Sequence, residues 1–299
     1  MSFNRLATLR QVMDSLVGQT RRPDRILVVD NGSTDGSIRY LRSLASTYAE
    51  LSVIESTTNR GGAGGFALGT DAALADTTDF LWLMDDDAVP RPDCLERLLS
   101  ALTDSPDIPF VSPTVTDADG VLHTRNRPFL SPLVPESLAA AEEGHLAVSA
   151  VSFVGPLIRA SAARRTHLPL DDFFLWHDDT EYTARLAADI PGRQVPQARI
   201  THLVSNAGPG QFVPPRAVVN IRNLVWCVRE SRTGSSALTP SRWAGLLRDI
   251  VIGQIRHTPR RRWPRVLASV VRGVARGVVA RPRHRPPGDI LAAGGFIRH

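Results

Sequence analysis

Phe80-Leu81-Trp82-Leu83-Met84-Asp85-Asp86-Asp87 sets an apolar run against three consecutive carboxylates. A short apolar run bounded by charge reads as a buried strand. A strand ending in acids delivers like charges to the rim of a sheet, where they repel unless a cation or ligand lies between them. Hard cations such as Mg²⁺ and Mn²⁺ take oxygen ligands, often one or two carboxylates plus substrate phosphates. The same triplet also fits a solvated acidic turn, so its meaning depends on its neighbours.

Upstream, strand and helix alternate. Leu6 to Leu16 reads as a helix, with Leu6, Leu9, Val12, Met13 and Leu16 at three- and four-residue spacing. Arg25 to Asp30 is a buried strand ending in an acid, Asn31 to Gly36 a turn-rich loop, and Ser37 to Leu44 a second helix. Leu51 to Glu55 reads as a strand, and Asn59 to Gly65 as a glycine loop opening a helix from Phe66. This alternation predicts an open, mostly parallel α/β sheet flanked by helices. Ligands of such sheets bind beyond the carboxyl ends of the strands, where Asp30 and Asp85–Asp87 stand. Downstream, residues 105–150 are Pro- and turn-rich with weak strands, a further helix begins at Asp171, and helical segments follow Thr239. Pro282 to Gly288 reads as flexible.

At 299 residues, 42% of them hydrophobic and 22% charged, the chain can bury a full core, which excludes disordered and collagen-like classes. Two cysteines cannot build a disulfide framework, and no Cys/His cluster has zinc spacing, which suits a reducing compartment. No secretory leader is expected at Met1, and no apolar run reaches the length of a membrane span. Charge is uneven. Gly253 to His299 holds eleven arginines and one acid, so against a formal total of +5 the first 252 residues are net acidic. The chain has no lysine.

Five motifs carry chemistry. Val28 to Ser37 places Asp30 before a glycine turn, where it could hydrogen-bond a ribose or base edge; an Asx turn with a helix cap at Asp35 fits equally. Asn59 to Gly65 lets backbone approach an anion closely, or is simply a turn; it is neither G-x-G-x-x-G nor a P-loop. The third motif is the aspartate triplet. The fourth, Phe173 to Tyr182, leads aromatics into paired acids. Asp178 with Glu181 fits an N-cap and its partner three residues on, which leaves Asp179 as the better general base. The fifth is His202, at the end of a short apolar segment, where a structural histidine is also common.

In order and spacing, "VVDNGSTDGS", "NRGGAGG", "FLWLMDDDAVPRPDCL" and "FFLWHDDTEY" resemble the inverting family 2 glycosyltransferases of the GT-A fold, over about Ser2 to Glu230. Within that family the chain is most similar to bacterial galactofuranosyltransferases of cell-wall galactan synthesis, with rhamnosyltransferases as near relatives. The resemblance implies that Asp30 binds the uracil or ribose, and that Phe3, Asn4, Arg5, Asn59, Gly61, Gly62, Asp85 and Asp86 line the nucleotide pocket. It implies a Mg²⁺ or Mn²⁺ site at Asp85, Asp87 and His202, with Asp87 the more direct ligand. Asp179 matches the catalytic base, and Trp176, Asp178, Arg222 and Asn223 lie near the substrate. The implied activity is metal-dependent, inverting transfer of a sugar, galactofuranose from UDP-galactofuranose, to a lipid-linked cell-envelope glycan. Transfer from dTDP-rhamnose, or an inactive nucleotide-sugar-binding protein, are the alternatives.

The chain departs from the family at its start. Ser2-Phe3-Asn4-Arg5 matches only the end of the family's first, central strand, so that strand is expected to be missing and the natural start to lie upstream. The expected organisation is a GT-A domain over 1–235 and a basic helical region over 236–299. In the latter, Val266, Val270, Val274 and Val278 recur at four-residue spacing beside Arg265, Arg272 and Arg276. A basic amphipathic helix suits an anionic membrane surface; a helix packed on the domain is the alternative. Without aromatic stacking residues between Arg265 and Ala280, nucleic acid is not an expected partner. The expected location is cytoplasmic, peripheral on the inner face of the plasma membrane.

Overall fold

The computed structural model describes residues 1–204, 213–231 and 238–299. The expected domain boundary at 235/236 lies outside the described residues. The chain opens with α1 (Leu6–Val17), whose Leu9, Val12, Met13 and Leu16 are buried. They face β1 (Ile26–Asp30) and β2 (Leu51–Ser56), which pair in parallel around the crossover helix α2 (Ser37–Ala45). Next come α3 (Gly61–Leu74), β3 (Phe80–Trp82), β4 (Ala88–Pro90) and α4 (Cys94–Asp104). The helix α3 begins at Gly61, not after the glycines. Gly65 must stay small because a Cβ there would lie 2.5 Å from the Met1 side chain.

After α4 the alternation stops. The chain continues through β5 (Phe110–Thr116), β6 (Phe129–Leu130), α5 (Val134–Glu142), β7 (Leu146–Ala150), β8 (Leu157–Arg159), α6 (Ala160–Arg164), α7 (Asp178–Leu186) and β9 (Gly192–His202). These strands and β3 form a sheet in the order β3-β8-β5-β9-β7-β6, with β4 on β9. Only β5 and β9 pair in parallel within it. The α/β class and flanking helices are as expected, but the sheet is mixed, not mostly parallel. The pairs β3 with β8, β4 with β9, β5 with β8, β6 with β7 and β7 with β9 all run antiparallel.

The two sheets are separate ladders. Between them stands Met1-Ser2: Ser2 N–H donates to Val29 O at 2.8 Å, Asn31 N–H donates to Ser2 O at 2.8 Å, and the Met1 ammonium donates to Met84 O at 3.1 Å. Ser2 makes an isolated parallel bridge to Asp30. Among the described residues no strand pairs with both β1 and β3.

The last third is α8 (Pro214–Glu230), α9 (Pro240–Arg256), α10 (Trp263–Val279), α11 (Asp289–Ala293) and β10 (Phe296–Arg298). The helix α10 packs closely on α8, since a Cβ at Gly273 or Gly277 would lie 2.6 Å from Ile221 or Val225. Val266, Ser269, Gly273 and Gly277 form its buried side. The expected valine stripe is therefore split: Val266 faces α8, while Leu267, Val271, Val274 and Val278 face outward. Small residues at the contact, not the valines, decide which side docks. Residues 282–288 are also tied down, by ion pairs from Arg283 to Asp172 and from Arg285 to Asp171. The fully buried Asp71 on α3 then accepts from the amides of Gly288, Ile290 and Leu291. Finally β10 pairs antiparallel with β2 and covers its edge. Among the described residues no helix is long and apolar enough to cross a membrane. Cys94 and Cys227 are buried and unpaired.

Candidate active site

The register of β4 on β9 brings the aspartates to the histidine. Ala88 lies opposite His202, and Leu203 N–H donates to Asp87 O at 2.9 Å. Side-chain atoms of Asp85, Asp87 and His202 consequently come within 4.8 Å of one another. His202 Nε2 lies 3.1 Å from Asp87 Oδ1, yet that buried oxygen has no hydrogen-bond partner. The other oxygen, Oδ2, is paired with Arg5. Burial foremost, then the charge of Asp87, pushes the Asp85 carboxyl up to about 7. Burial also pulls Asp87 upward, but the His202 ring and Arg5 outweigh it and hold Asp87 below the usual range. Two carboxylates in conflict, an unpartnered buried oxygen and an imidazole form a donor set that fits a divalent cation.

Asp86 stands between Asp85 and Asp87. It is buried and accepts from Phe3 N–H at 2.8 Å, so it secures the N-terminal turn above the cluster. Asn4 takes a left-handed conformation (φ 51°) and its Oδ1 accepts from Thr34 N–H at 2.7 Å. Together these contacts hold Phe3, Asn4 and Arg5 against the loop 31–36. Asp30 is fully buried; its Oδ2 accepts from Ser33 N–H at 2.9 Å, while Oδ1 has no partner. Asp35 does not cap its helix, since Gly36 holds the cap position. Its carboxylate accepts from the amides of Leu6 and Ser37.

Asn59 closes the glycine turn, its Oδ1 accepting from Gly61 N–H at 2.7 Å. Asn31, which nothing in the sequence singled out, clasps the same turn. Its amide donates to Asn59 Oδ1 and to Gly61 O, and its Oδ1 accepts from Arg60 N–H. Gly61 has φ +70°, and a Cβ there would meet Phe174 O at 2.0 Å. Ala63 N–H donates to that same carbonyl. Glycine is thus required where the aromatic loop 173–177 docks on the start of α3.

That loop is strained. Phe174, Trp176 and His177 all have positive φ, 63°, 68° and 68°. His177, not Asp178, holds the cap position of α7, and Glu181 pairs with Arg185 instead of closing a capping box. The expected Asp178–Glu181 box is therefore absent, because the left-handed turn makes Asp178 the first helical residue. Asp179 Oδ1 accepts from Thr180 N–H at 2.6 Å. Burial raises both acids: Asp178 well above the usual carboxylate range, with Asp179 and then Asp85 adding to it, and Asp179 against opposing hydrogen bonds from Thr180 and the charge of His177.

Arg222 and Asn223 stand behind this loop. Asn223 is fully buried, and its amide donates to the carbonyls of Phe173, Leu175 and Trp176 at 3.0, 2.8 and 3.0 Å. Arg222 donates to the carbonyls of Asp172 and Phe173. Asn223 thus ties down the loop that leads into Asp178 and Asp179. Phe174 and Trp176 keep 46% and 39% of their surface exposed, which leaves Trp176 free to meet a substrate.

Comparison with known proteins identifies the family and the fold. Residues 1–164 match the profile of glycosyl transferase family 2. The galactofuranosyltransferase GlfT1 of Mycobacterium tuberculosis is 34% identical over 187 residues, which is 60% of this chain and 60% of that protein. GlfT1 of Mycolicibacterium smegmatis is 37% identical over 122 residues, 40% of this chain and 38% of that one. The matches thus span less than two thirds of these relatives. Among solved structures, a mannosyltransferase from Pyrobaculum calidifontis, in complex with GDP-Man and Mn²⁺, superposes with a TM-score of 0.56 at 20% identity, covering 98% of this chain and 77% of that one. GalNAc-T7 with UDP, GalNAc and Mn²⁺ gives a TM-score of 0.59 at 16% identity, over 74% and 46%. At such identities the likeness concerns the fold, which is GT-A. With more than half of its length matched, the chain belongs to glycosyl transferase family 2 and is a glycosyltransferase.

Proposed function

We propose that the chain transfers galactofuranose from UDP-galactofuranose to a lipid-linked cell-envelope glycan, with inversion and with a divalent metal. The observation that carries this is the convergence of Asp85, Asp87 and His202 beside the nucleotide-side loops. Asp87 and His202, with Asp85, would hold Mg²⁺ or Mn²⁺. When bound, such a cation neutralises charge developing on the departing diphosphate. Asp30, Asn59 and the start of α3 bind the nucleoside side of the donor. Asp179 takes the proton from an acceptor hydroxyl as that oxygen bonds to the anomeric carbon. The bond from that carbon to the diphosphate breaks on the opposite face, its electron pair leaving with UDP. Trp176 offers an apolar face to the acceptor sugar.

A second reading of the base rests on a specific observation. Asp178 opens α7 beside Asp179, and its carboxyl feels the charge of Asp85. Release of UDP from UDP-galactofuranose, with a polyprenyl-diphosphate glycan and Mn²⁺, separates the two. Loss in Asp179→Asn with retention in Asp178→Asn supports Asp179; the reverse moves the role to Asp178. UDP binding without turnover in the wild type would favour a nucleotide-sugar-binding protein. Faster turnover of dTDP-rhamnose would overturn the donor assignment.

The acceptor's lipid suits the outward face of α10. Leu267, Val271 and Val278 are 52%, 68% and 57% exposed, and Arg265, Arg272 and Arg276 beside them are exposed as well. Apolar side chains flanked by arginines match an anionic membrane surface on the cytoplasmic side. Sedimentation with phosphatidylglycerol vesicles should fall in Val271→Asp, and equal binding to neutral vesicles would refute the electrostatic part.

A further inference from the structure

We propose that Asn126 is a positioning residue that fixes the tautomer and orientation of His202, with Ser152 and His123 supporting it. This rests on the reading of Asp85, Asp87 and His202 as a cation site. An imidazole can bind a cation only through a nitrogen that carries no proton, so one ring nitrogen must be protonated and the other must face the ion. Histidine ligands are usually set this way by a hydrogen bond to the far nitrogen.

The geometry supplies that bond. His202 Nδ1 lies 2.9 Å from Asn126 Oδ1. In this arrangement Asn126 Nδ2 donates to Ser152 Oγ at 2.8 Å, which leaves Oδ1 facing the ring. An acceptor at 2.9 Å places a proton on Nδ1, which leaves Nε2, 3.1 Å from Asp87 Oδ1, as the nitrogen that would face a cation. The backbone holds Asn126 in place, its N–H donating to His123 O at 3.1 Å. The His123 ring is buried and lies against the His202 ring, with centroids 4.7 Å apart, so His202 has little room to turn. His123 is itself fixed: its N–H donates to Val115 O, and Nε2 lies 3.3 Å from Val204 O. Asn126 therefore reaches the cation only through the ring it orients.

The test is Mn²⁺ affinity, read by electron paramagnetic resonance in the presence of UDP. Asn126→Ala removes the acceptor and should weaken Mn²⁺ binding by about 10–100-fold. Asn126→Asp keeps an acceptor in place and should recover affinity to within a few-fold of wild type. Ser152→Ala, which frees the amide to flip, should give an intermediate loss. The metal-free thermal midpoint should change little across the three. Equal affinity in wild type and Asn126→Ala would overturn the proposal, as would an Asp variant no better than Ala. If Asn126→Ala lowers the metal-free midpoint and folds poorly, Ser152→Ala decides alone: wild-type affinity in it overturns the relay. A wild type that binds no Mn²⁺ with UDP overturns the cation site itself, and this proposal with it.

Discussion

Asn223→Ala separates a positioning role from a substrate contact. Three left-handed non-glycine residues, Phe174, Trp176 and His177, store strain of about 1 kcal/mol each, or about 3 kcal/mol together. Asn223 opposes that strain with contacts to three carbonyls, although one amide has only two N–H groups. At about 1 kcal/mol net per bond, and about 1–3 kcal/mol for each carbonyl left buried and unpaired, its removal withdraws roughly 3–4 kcal/mol of restraint. Restraint and strain nearly balance, so the loop should relax without unfolding the domain. Because relaxation recovers much of the strain, urea denaturation should register a loss of only about 1–2 kcal/mol. Activity should fall much further, about 100-fold in kcat/KM, since Asp178 and Asp179 follow this loop directly and small misplacements of reacting groups are expensive. Hydrogen exchange should rise in residues 172–180 alone. A variant with unchanged exchange in that segment and kcat/KM within a few-fold of wild type would refute the clamp.

Asp71→Asn leaves an amide facing the N–H groups of Ile290 and Leu291, and should expose the C-terminal segment to limited proteolysis while the core stays folded. Cleavage after residue 280 no faster than in wild type would contradict that. Gly273→Val drives a branched side chain into Ile221, and overpacking should lower stability by about 1–3 kcal/mol in urea titration. Asp172 has its carboxyl held below 3.8: burial raises it, but hydrogen bonds and charge from Arg283 prevail. Its stabilisation is therefore present above the unfolded value and lost as pH falls through the lower folded one. In Arg283→Gln the acid-induced drop below about pH 4 should be shallower than in wild type.

The strand that leads toward Asp85–Asp87, which stops at Trp82, and the helices α1 and α2 were readable because each buries one face with its own period. Pairing direction was not, because a short strand such as Phe110–Thr116 looks alike in either orientation. Helix α5 hid in a Pro-rich stretch, since only Ala140 is buried along it. The closing strand β10 has three residues after two glycines, too few to show alternation. In the site, the acids and His202 were found through motif order. Of the residues that hold them, Asn31 and Asn126 were not, and Asn223 was placed only near the substrate: each acts through a single side-chain amide on distant backbone or rings, and no local spacing marks such a role. The Asp178–Glu181 pattern misled for a related reason, since a capping box depends on backbone dihedrals that the loop before it controls.

Anomalous diffraction from crystals grown with Mn²⁺ and UDP tests the central claim most directly. The account predicts one strong manganese peak within bonding distance of Asp87 and His202 Nε2, with Asp85 beside it and the UDP diphosphate completing the ligands. A crystal with UDP bound but no manganese there, and Asp87 still paired with Arg5, would contradict it.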